Sequence, residues 1–136
     1  MNRRTLLALL VMLAALAAAG PASASPPIRS ILGDWAGMLH QQGVEVGSVG
    51  FRIARVGSST PTGIVSYPEL ACGGRWTFLG LDRTGTAFRF REVITRGASD
   101  TCKGVGIVRL RVVGGRTLAY RWTDGQLISA AAVTRS

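Results

Sequence analysis

Residues 108–122 read VRLRVVGGRTLAYRW and decide the fold class of this chain. Apolar and polar or arginine side chains alternate over 108–112 and again over 118–122, the period of two typical of a strand with one buried face. The pair Gly114-Gly115 between them is typical of a tight two-residue hairpin turn. The stretch therefore predicts two antiparallel strands with one apolar face and one charged face.

The same alternation recurs along the chain, most clearly over 51–55 and 88–91, and no stretch shows helical periodicity. Eight short antiparallel strands joined by tight turns favour an all-β, up-and-down meander that closes into a small barrel. A two-sheet β-sandwich is the alternative. The predicted strands lie near 35–40, 46–56, 62–67, 74–81, 86–95, 104–113, 116–123 and 127–133.

Residues 1–24 have the organisation of a secretory signal peptide. Arg3 and Arg4 precede an apolar run over 6–19, and Ala-Ser-Ala at 22–24 is a small-x-small cleavage site. The run is shorter than the roughly 20 residues that cross a bilayer, so a retained anchor is only the alternative. The two arginines also fit a twin-arginine signal, but nothing requires a prefolded cargo, so we favour the general secretory route.

Cleavage leaves a short N-terminal arm, 25–32, and one barrel domain, 33–134. The full chain carries 16 Lys+Arg against 7 Asp+Glu, a net charge of +9. This positive net charge excludes the class of strongly acidic proteins that bind basic enzymes. One His and two Cys are too few for a Cys/His zinc cluster, and we expect neither a metal nor a cofactor. We expect a soluble protein that is secreted or held in the periplasm or cell envelope.

All the aromatic side chains fall on one face of the predicted strands. An eight-stranded barrel is just wide enough to be filled by side chains or to hold one small ligand. So many inward rings favour a filled interior, with a ligand cavity as the alternative. The inward aromatic residues are Trp35, Phe51, Tyr67, Trp76, Phe78, Phe88, Phe90, Tyr120 and Trp122.

The two cysteines, Cys72 and Cys102, are predicted to form a disulfide because export favours oxidation. They precede the fourth and sixth strands, which run the same way but lie about 10 Å apart. Because a disulfide needs Cα atoms within about 7 Å, loops 68–73 and 96–103 must bend toward each other. A reactive thiol pair is the alternative, but the Cys-x-x-Cys spacing is missing.

Five blocks of sequence form a recognisable pattern: Tyr67-Pro68-Glu69-Leu70-Ala71-Cys72-Gly73-Gly74, Phe90-Arg91-Glu92, Ile94-Thr95-Arg96-Gly97, Cys102-Lys103-Gly104 and Leu118-Ala119-Tyr120-Arg121-Trp122. Together they resemble a small, disulfide-linked extracytoplasmic β domain of bacteria. That domain occurs as free exported proteins and at the extracytoplasmic end of some actinobacterial serine/threonine protein kinases. The resemblance covers roughly 33–123 and implies fold and compartment; it implies no receptor role, because the chain has no kinase domain. Gly33-Asp34-Trp35 is also similar to the Gly-x-Trp opening of lipocalins.

Glu92 is the residue that fits the pattern least, because the period of two places its carboxyl on the apolar face. A buried carboxylate needs a partner or a raised pKa. Arg55, inward by the same alternation on the second strand, is the predicted partner, and the pair would fix the strand register. Glu92, Arg55, Tyr67 and Trp122 are also candidates for binding a ligand, and a catalytic acid at Glu92 is the third interpretation.

Five arginines are predicted to gather on the outer face of three neighbouring strands. Arg89 and Arg91 lie on the fifth strand, Arg109 and Arg111 on the sixth, and Arg121 on the seventh. Like charges facing each other across strands are mildly destabilising, a cost that a bound polyanion would offset. A solvated basic face is the alternative, and we expect no nucleic-acid partner outside the cytoplasm.

These observations favour an exported, non-catalytic binding or interaction module for an anionic envelope component or a small ligand. A structural or inhibitory envelope protein with a protein partner is the first alternative. A hydrolase using Glu92 is the second. A Ser-His-Asp triad is not expected, because the sole histidine, His40, falls on the outward side of the first strand.

Overall fold

The computed structural model describes residues 24–56 and 60–136, and its strands close into one barrel. Each strand pairs antiparallel with the next, and the last pairs with the first, so the predicted up-and-down barrel is confirmed and the sandwich alternative is wrong. The strands are β1 (Gly33–Gln41), β2 (Val44–Val56), β3 (Thr60–Tyr67), β4 (Cys72–Leu81), β5 (Ala87–Arg96), β6 (Val105–Gly114), β7 (Thr117–Thr123) and β8 (Ile128–Arg135).

Two short 3-10 helices complete the fold: η1 (Ile28–Ser30) precedes β1, and η2 (Pro68–Leu70) connects β3 to β4. None of the helices within 24–56 and 60–136 is long or apolar enough to cross a membrane. The predicted signal peptide lies outside the described residues except for its last position, Ala24.

One end of the barrel, here called the closed end, is covered by the N-terminal segment. Ile31 is fully buried, and its carbonyl accepts a hydrogen bond of 3.0 Å from the Trp35 indole N–H. The Arg135 guanidinium lies 4.3 Å from the centre of the Trp35 ring and donates to the carbonyl of Leu32. The predicted arm over 25–32 is thus anchored at its C-terminal end, where Ile31 belongs to the core and Ile28 and Leu32 pack against it.

The aromatic rings fill the middle of the barrel, as the alternation predicts. The ring centres of Phe51 and Trp76 are 4.6 Å apart, and those of Trp76 and Phe90 are 5.6 Å apart. Tyr120 stacks near both Phe51 and Trp76. Side chains this close leave no room for a ligand at the centre, and any cavity must lie nearer an end of the barrel.

The opposite end, here called the open end, is crossed by the disulfide. Cys72 and Cys102 are bonded with a Cα–Cα distance of 6.6 Å, which confirms the predicted pairing and excludes a free thiol pair. The bond ties the start of β4 to the β5–β6 connection, as the geometry of the parallel-running strands required. Both cysteines are buried, so the disulfide is also part of the core at this end.

Candidate functional site

The buried carboxyl of Glu92 lies toward the open end of the barrel. Register places Glu92 of β5 opposite Trp76 of β4, and only 2 % of its surface is exposed. Its Oε2 accepts two hydrogen bonds of 2.7 Å, from the Trp76 indole N–H and from the Tyr67 hydroxyl. Hydrogen bonds to a charged acceptor are about twice as strong as neutral ones, and two of them keep this carboxyl in the core.

A second tyrosine extends this arrangement into a chain of hydrogen bonds. The hydroxyls of Tyr67 and Tyr120 are 2.7 Å apart. Because the Tyr67 proton is committed to Glu92, Tyr120 must donate its own proton to the Tyr67 oxygen. Burial, in the first place, raises the pKa of both tyrosines well above 10, so both hydroxyls stay protonated and able to donate.

The environment of Glu92 acts on its pKa in two opposite ways. Burial raises the pKa above the usual 4.5, because desolvation disfavours the charged form. Hydrogen bonds from Trp76 and Tyr67 favour the charged form and oppose this effect without cancelling it. The net result is a carboxyl that holds its proton to a higher pH than an exposed glutamate does.

This raised pKa predicts a pH dependence of stability that depends on Glu92. Between pH 4.5 and the raised value, the folded state binds more protons than the unfolded state, so stability must fall as the pH rises. Relative to the Glu92→Gln variant, the wild type should gain stability as the pH is lowered toward 4.5 and show no further relative gain below it. Urea unfolding of both proteins across pH 4–8 measures the difference between their free energies of unfolding. The contributions of the other titrating groups cancel in this difference because both proteins contain them. A relative loss of wild-type stability on acidification would contradict the prediction.

The indole of Trp122 lies beside this carboxyl with an unused donor. Trp122 is 6 % exposed, and its Nε1 is shielded from solvent and makes no hydrogen bond to any described residue. Its N–H also acts to lower the pKa of Glu92, although no hydrogen bond of acceptable geometry joins the two groups. The ring occupies the space that a side chain at residue 106 would fill, since a Cβ on Gly106 would clash with the indole nitrogen.

A pocket leads from the surface at the open end to these polar groups. Glu92, Tyr67 and Trp122 lie on its wall, with Tyr120 and Ser129, and Lys103 lies on its rim. Its volume is about 30 Å³, more than one water molecule requires. The interior is therefore largely filled, as the aromatic count favoured, with a small cavity left next to Glu92. Apolar walls come from Leu39, Leu70, Leu127 and the disulfide residue Cys102.

The structure brings together three of the four predicted ligand-binding residues. Glu92, Tyr67 and Trp122 share the pocket, but the predicted pairing of Glu92 with Arg55 is wrong. The inward alternation of β2 ends at Ile53, and Arg55 is exposed near the closed end of the strand. Neutral donors on β3 and β4, and no cation among the described residues, bind the Glu92 carboxyl instead.

Two residues of the site were absent from the predicted set. Trp76 and Tyr120 complete the hydrogen bonds around Glu92, and both had been assigned only to the core. Their inward direction was visible in the sequence, and their polar atoms marked them as groups that need partners when buried. His40 is exposed on β1 and lies outside this pocket.

The predicted basic residues lie on the outer wall of β5, β6 and β7. Register places Arg109 directly opposite Arg89 on one side and directly opposite Arg121 on the other. These three residues, here called the arginine row, run across the strands. Arg91 and Arg111 flank the row one step toward either end, opposite Ile107 and Ala119.

Comparisons of the chain with protein-family models, with curated proteins and with solved structures gave no match.

Proposed function

We propose that this chain is an exported, non-catalytic binding protein that holds a small hydroxyl-bearing ligand in the pocket at its open end. The observation that carries the proposal is the Trp122 Nε1–H, which is buried, unpartnered within the described residues and adjacent to the Glu92 carboxyl. An unsatisfied buried donor costs about 1–3 kcal/mol, so a bound group that accepts this hydrogen bond would recover that free energy.

The two polar groups together specify the chemistry of the bound group. A ligand must accept from Trp122 Nε1 and must not repel the Glu92 carboxylate. A hydroxyl does both, because it accepts at its oxygen and donates its proton. An ammonium cannot accept, and a carboxylate or phosphate would meet a buried like charge. The cavity beside Glu92 is small enough that only the hydroxyl would enter it, with the apolar body of the ligand against Leu70 and Leu127.

The composition of the pocket favours binding over catalysis. Glu92 is the one acidic residue that lines it, and neither a second carboxylate nor a histidine lies on its described wall. Acid–base hydrolysis of a glycoside uses two carboxyl groups on opposite sides of the bond.

The proposal that the protein is exported is supported by the leader-like sequence and by the disulfide. A disulfide persists in oxidising compartments and is rare in the cytosol. The Cys72–Cys102 bond, together with the residues predicted as a signal peptide, therefore supports a periplasmic, envelope or secreted location. The resemblance to an exported bacterial β domain agrees with this location.

Titration with phenol and toluene tests the proposed ligand chemistry, since the two molecules have nearly the same shape and only phenol has a hydroxyl. Proton–nitrogen NMR spectra should show the Trp122 indole signal moving on addition of phenol. Phenol should bind about tenfold more tightly than toluene, because only phenol satisfies the buried Trp122 donor, whose unsatisfied state costs about 1–3 kcal/mol. Equal affinity for the two probes, or no change at the Trp122 signal, would overturn the proposal.

The Trp122→Phe variant serves as the matched control, because it keeps an aromatic ring and deletes the N–H. It should bind toluene as the wild type does and lose most of its preference for phenol. An unchanged preference would show that the indole N–H does not select the hydroxyl.

A further inference from the structure

A second surface on this protein carries a different chemistry from the pocket. The arginine row places three guanidinium groups on adjacent strands, and strands in a sheet are about 5 Å apart. The row therefore spans about 10 Å across the barrel wall. Arg91 and Arg111 widen it on both sides, so five cations occupy the outer faces of three strands.

The described structure provides no acidic partner for this surface. Its one ion pair joins Arg52 to Asp34 on β2 and β1, on another part of the wall. Across β4–β8 the only acidic side chain within a strand is Glu92, which points inward. The outward residues of β8 next to the row, such as Ala130 opposite Arg121, are uncharged. Like charges directly opposite each other destabilise a sheet, and nothing on this wall offsets that effect.

Two of the three side chains of the row lie partly buried against the wall, whereas Arg121 is exposed. Arg89 and Arg109 are only partly exposed, and Arg89 Nε is shielded from solvent without a hydrogen-bond partner. A long side chain that lies along the surface has already lost much of its rotamer freedom, which lowers the entropic cost of binding an anion. The terminal N–H groups of the arginine row are then the donors that an anion would meet on this wall.

We propose that the arginine row binds a linear polymer whose repeat carries a phosphate. The two free oxygens of a phosphodiester diverge from a tetrahedral phosphorus, so each can meet a different guanidinium of neighbouring strands. Arginine is also the side chain that proteins favour for phosphate recognition, because its planar fork can bind two phosphate oxygens at once. Because the row crosses the strands with Arg91 and Arg111 beside it, successive phosphates of one chain can be neutralised along a single path. This inference is independent of the pocket and its ligand.

The inference is tested by measuring the binding of long-chain inorganic polyphosphate at several salt concentrations. The protein used is the exported form without the predicted signal peptide, residues 25–136. Affinity should fall steeply with salt, because bound cations release condensed counterions from a linear polyanion. The triple variant Arg89→Gln, Arg109→Gln, Arg121→Gln should bind at least about tenfold more weakly at low salt, and the slope of log affinity against log salt should decrease by about three.

A variant of equal net charge provides the matched control. Arg29, Arg83 and Arg116 are exposed at the closed end, away from the row, and their replacement by Gln also removes three charges. This control should retain most of the affinity, whereas equal losses in the two triple variants would show a general effect of net charge and overturn the proposal. Thermal unfolding of the row variant should occur at the wild-type temperature or above it, since like-charge repulsion has been removed.

Two further probes identify the chemistry of the partner. Poly-L-glutamate presents carboxylates, and vesicles of phosphatidylglycerol present phosphates on a membrane surface. The proposal expects both to bind more weakly than polyphosphate at the same salt concentration. Poly-L-glutamate binding as tight as polyphosphate binding would contradict the phosphate preference, and binding to the vesicles alone would replace the polymer with a lipid surface.

Discussion

Loss of the Cys72–Cys102 disulfide should lower the free energy of unfolding by about 3–4 kcal/mol, the entropy of closing a loop of this length in the unfolded chain. The bonded residues are 30 positions apart in the sequence. Urea unfolding of the Cys72→Ala, Cys102→Ala double variant gives the size of the loss directly. The double variant avoids a free thiol, and its packing differs from the wild type only by two sulfur atoms at the open end.

Reduction of the wild-type protein separates the cross-link from the packing of the sulfurs. If loop closure is the main effect, the reduced wild type and the double variant should unfold at nearly the same urea concentration. A loss below about 1 kcal/mol in both would mean that the two loops stay together without the bond, and the chain-entropy explanation would then be wrong.

The Tyr67→Phe variant should be less stable than the wild type by about 2–4 kcal/mol, although the substitution removes a single oxygen atom. It takes one of two donors from the buried Glu92 carboxyl and leaves the Tyr120 hydroxyl without its acceptor. Hydrogen bonds to a charged group contribute about 1.5–3 kcal/mol, and the orphaned tyrosine adds to the loss. Urea unfolding at neutral pH measures the effect.

A double-mutant cycle with Glu92→Gln shows whether the effect passes through the carboxyl. Tyr67→Phe and Glu92→Gln should be strongly coupled, because both alter the same hydrogen bond. The cycle of Glu92→Gln with Arg55→Ala is the control and should show additive effects, since Arg55 is exposed and does not contact the carboxyl. Additivity between Tyr67 and Glu92 would contradict the hydrogen-bonded chain.

Much of the fold could be predicted because strands of a barrel have a strict period of two. The alternation over 108–112 and 118–122 gave the right inward residues, since one face of each strand is buried and the other is not. The same rule placed Glu92 inside. Turn chemistry located the β6–β7 hairpin to within one residue, since Gly114 belongs to β6 and the turn residues are Gly115 and Arg116. The two cysteines had only each other as partners.

The partner of Glu92 could not be predicted in the same way. Alternation gives the face of a strand on which a residue lies, but not its height along the barrel, which depends on register between distant strands. Arg55 follows Ile53 at the spacing of two expected for an inward residue. However, β2 reaches the closed end of the barrel at this point, and the Arg55 side chain is exposed to solvent. Trp76 lies opposite Glu92 because the bulge at Phe78/Gly80, between the β4–β5 hairpin and this pair, shifts the pairing of the two strands by one residue. No local sequence signal states the size of such a shift.

Aromatic rings fill the middle of the barrel and the N-terminal segment covers its closed end, so within the described residues the pocket beside Glu92 opens only at the open end. A molecule that enters beside Glu92 has to leave by the route it took in, because Ile31 and Trp35 block the other side. The loops joined by the disulfide, 68–73 and 96–103, lie at this opening of the pocket. A substitution in these loops that narrows or widens the pocket opening should therefore change the association and dissociation rate constants of a ligand by the same factor. The residence time would change, while the equilibrium affinity would stay nearly constant.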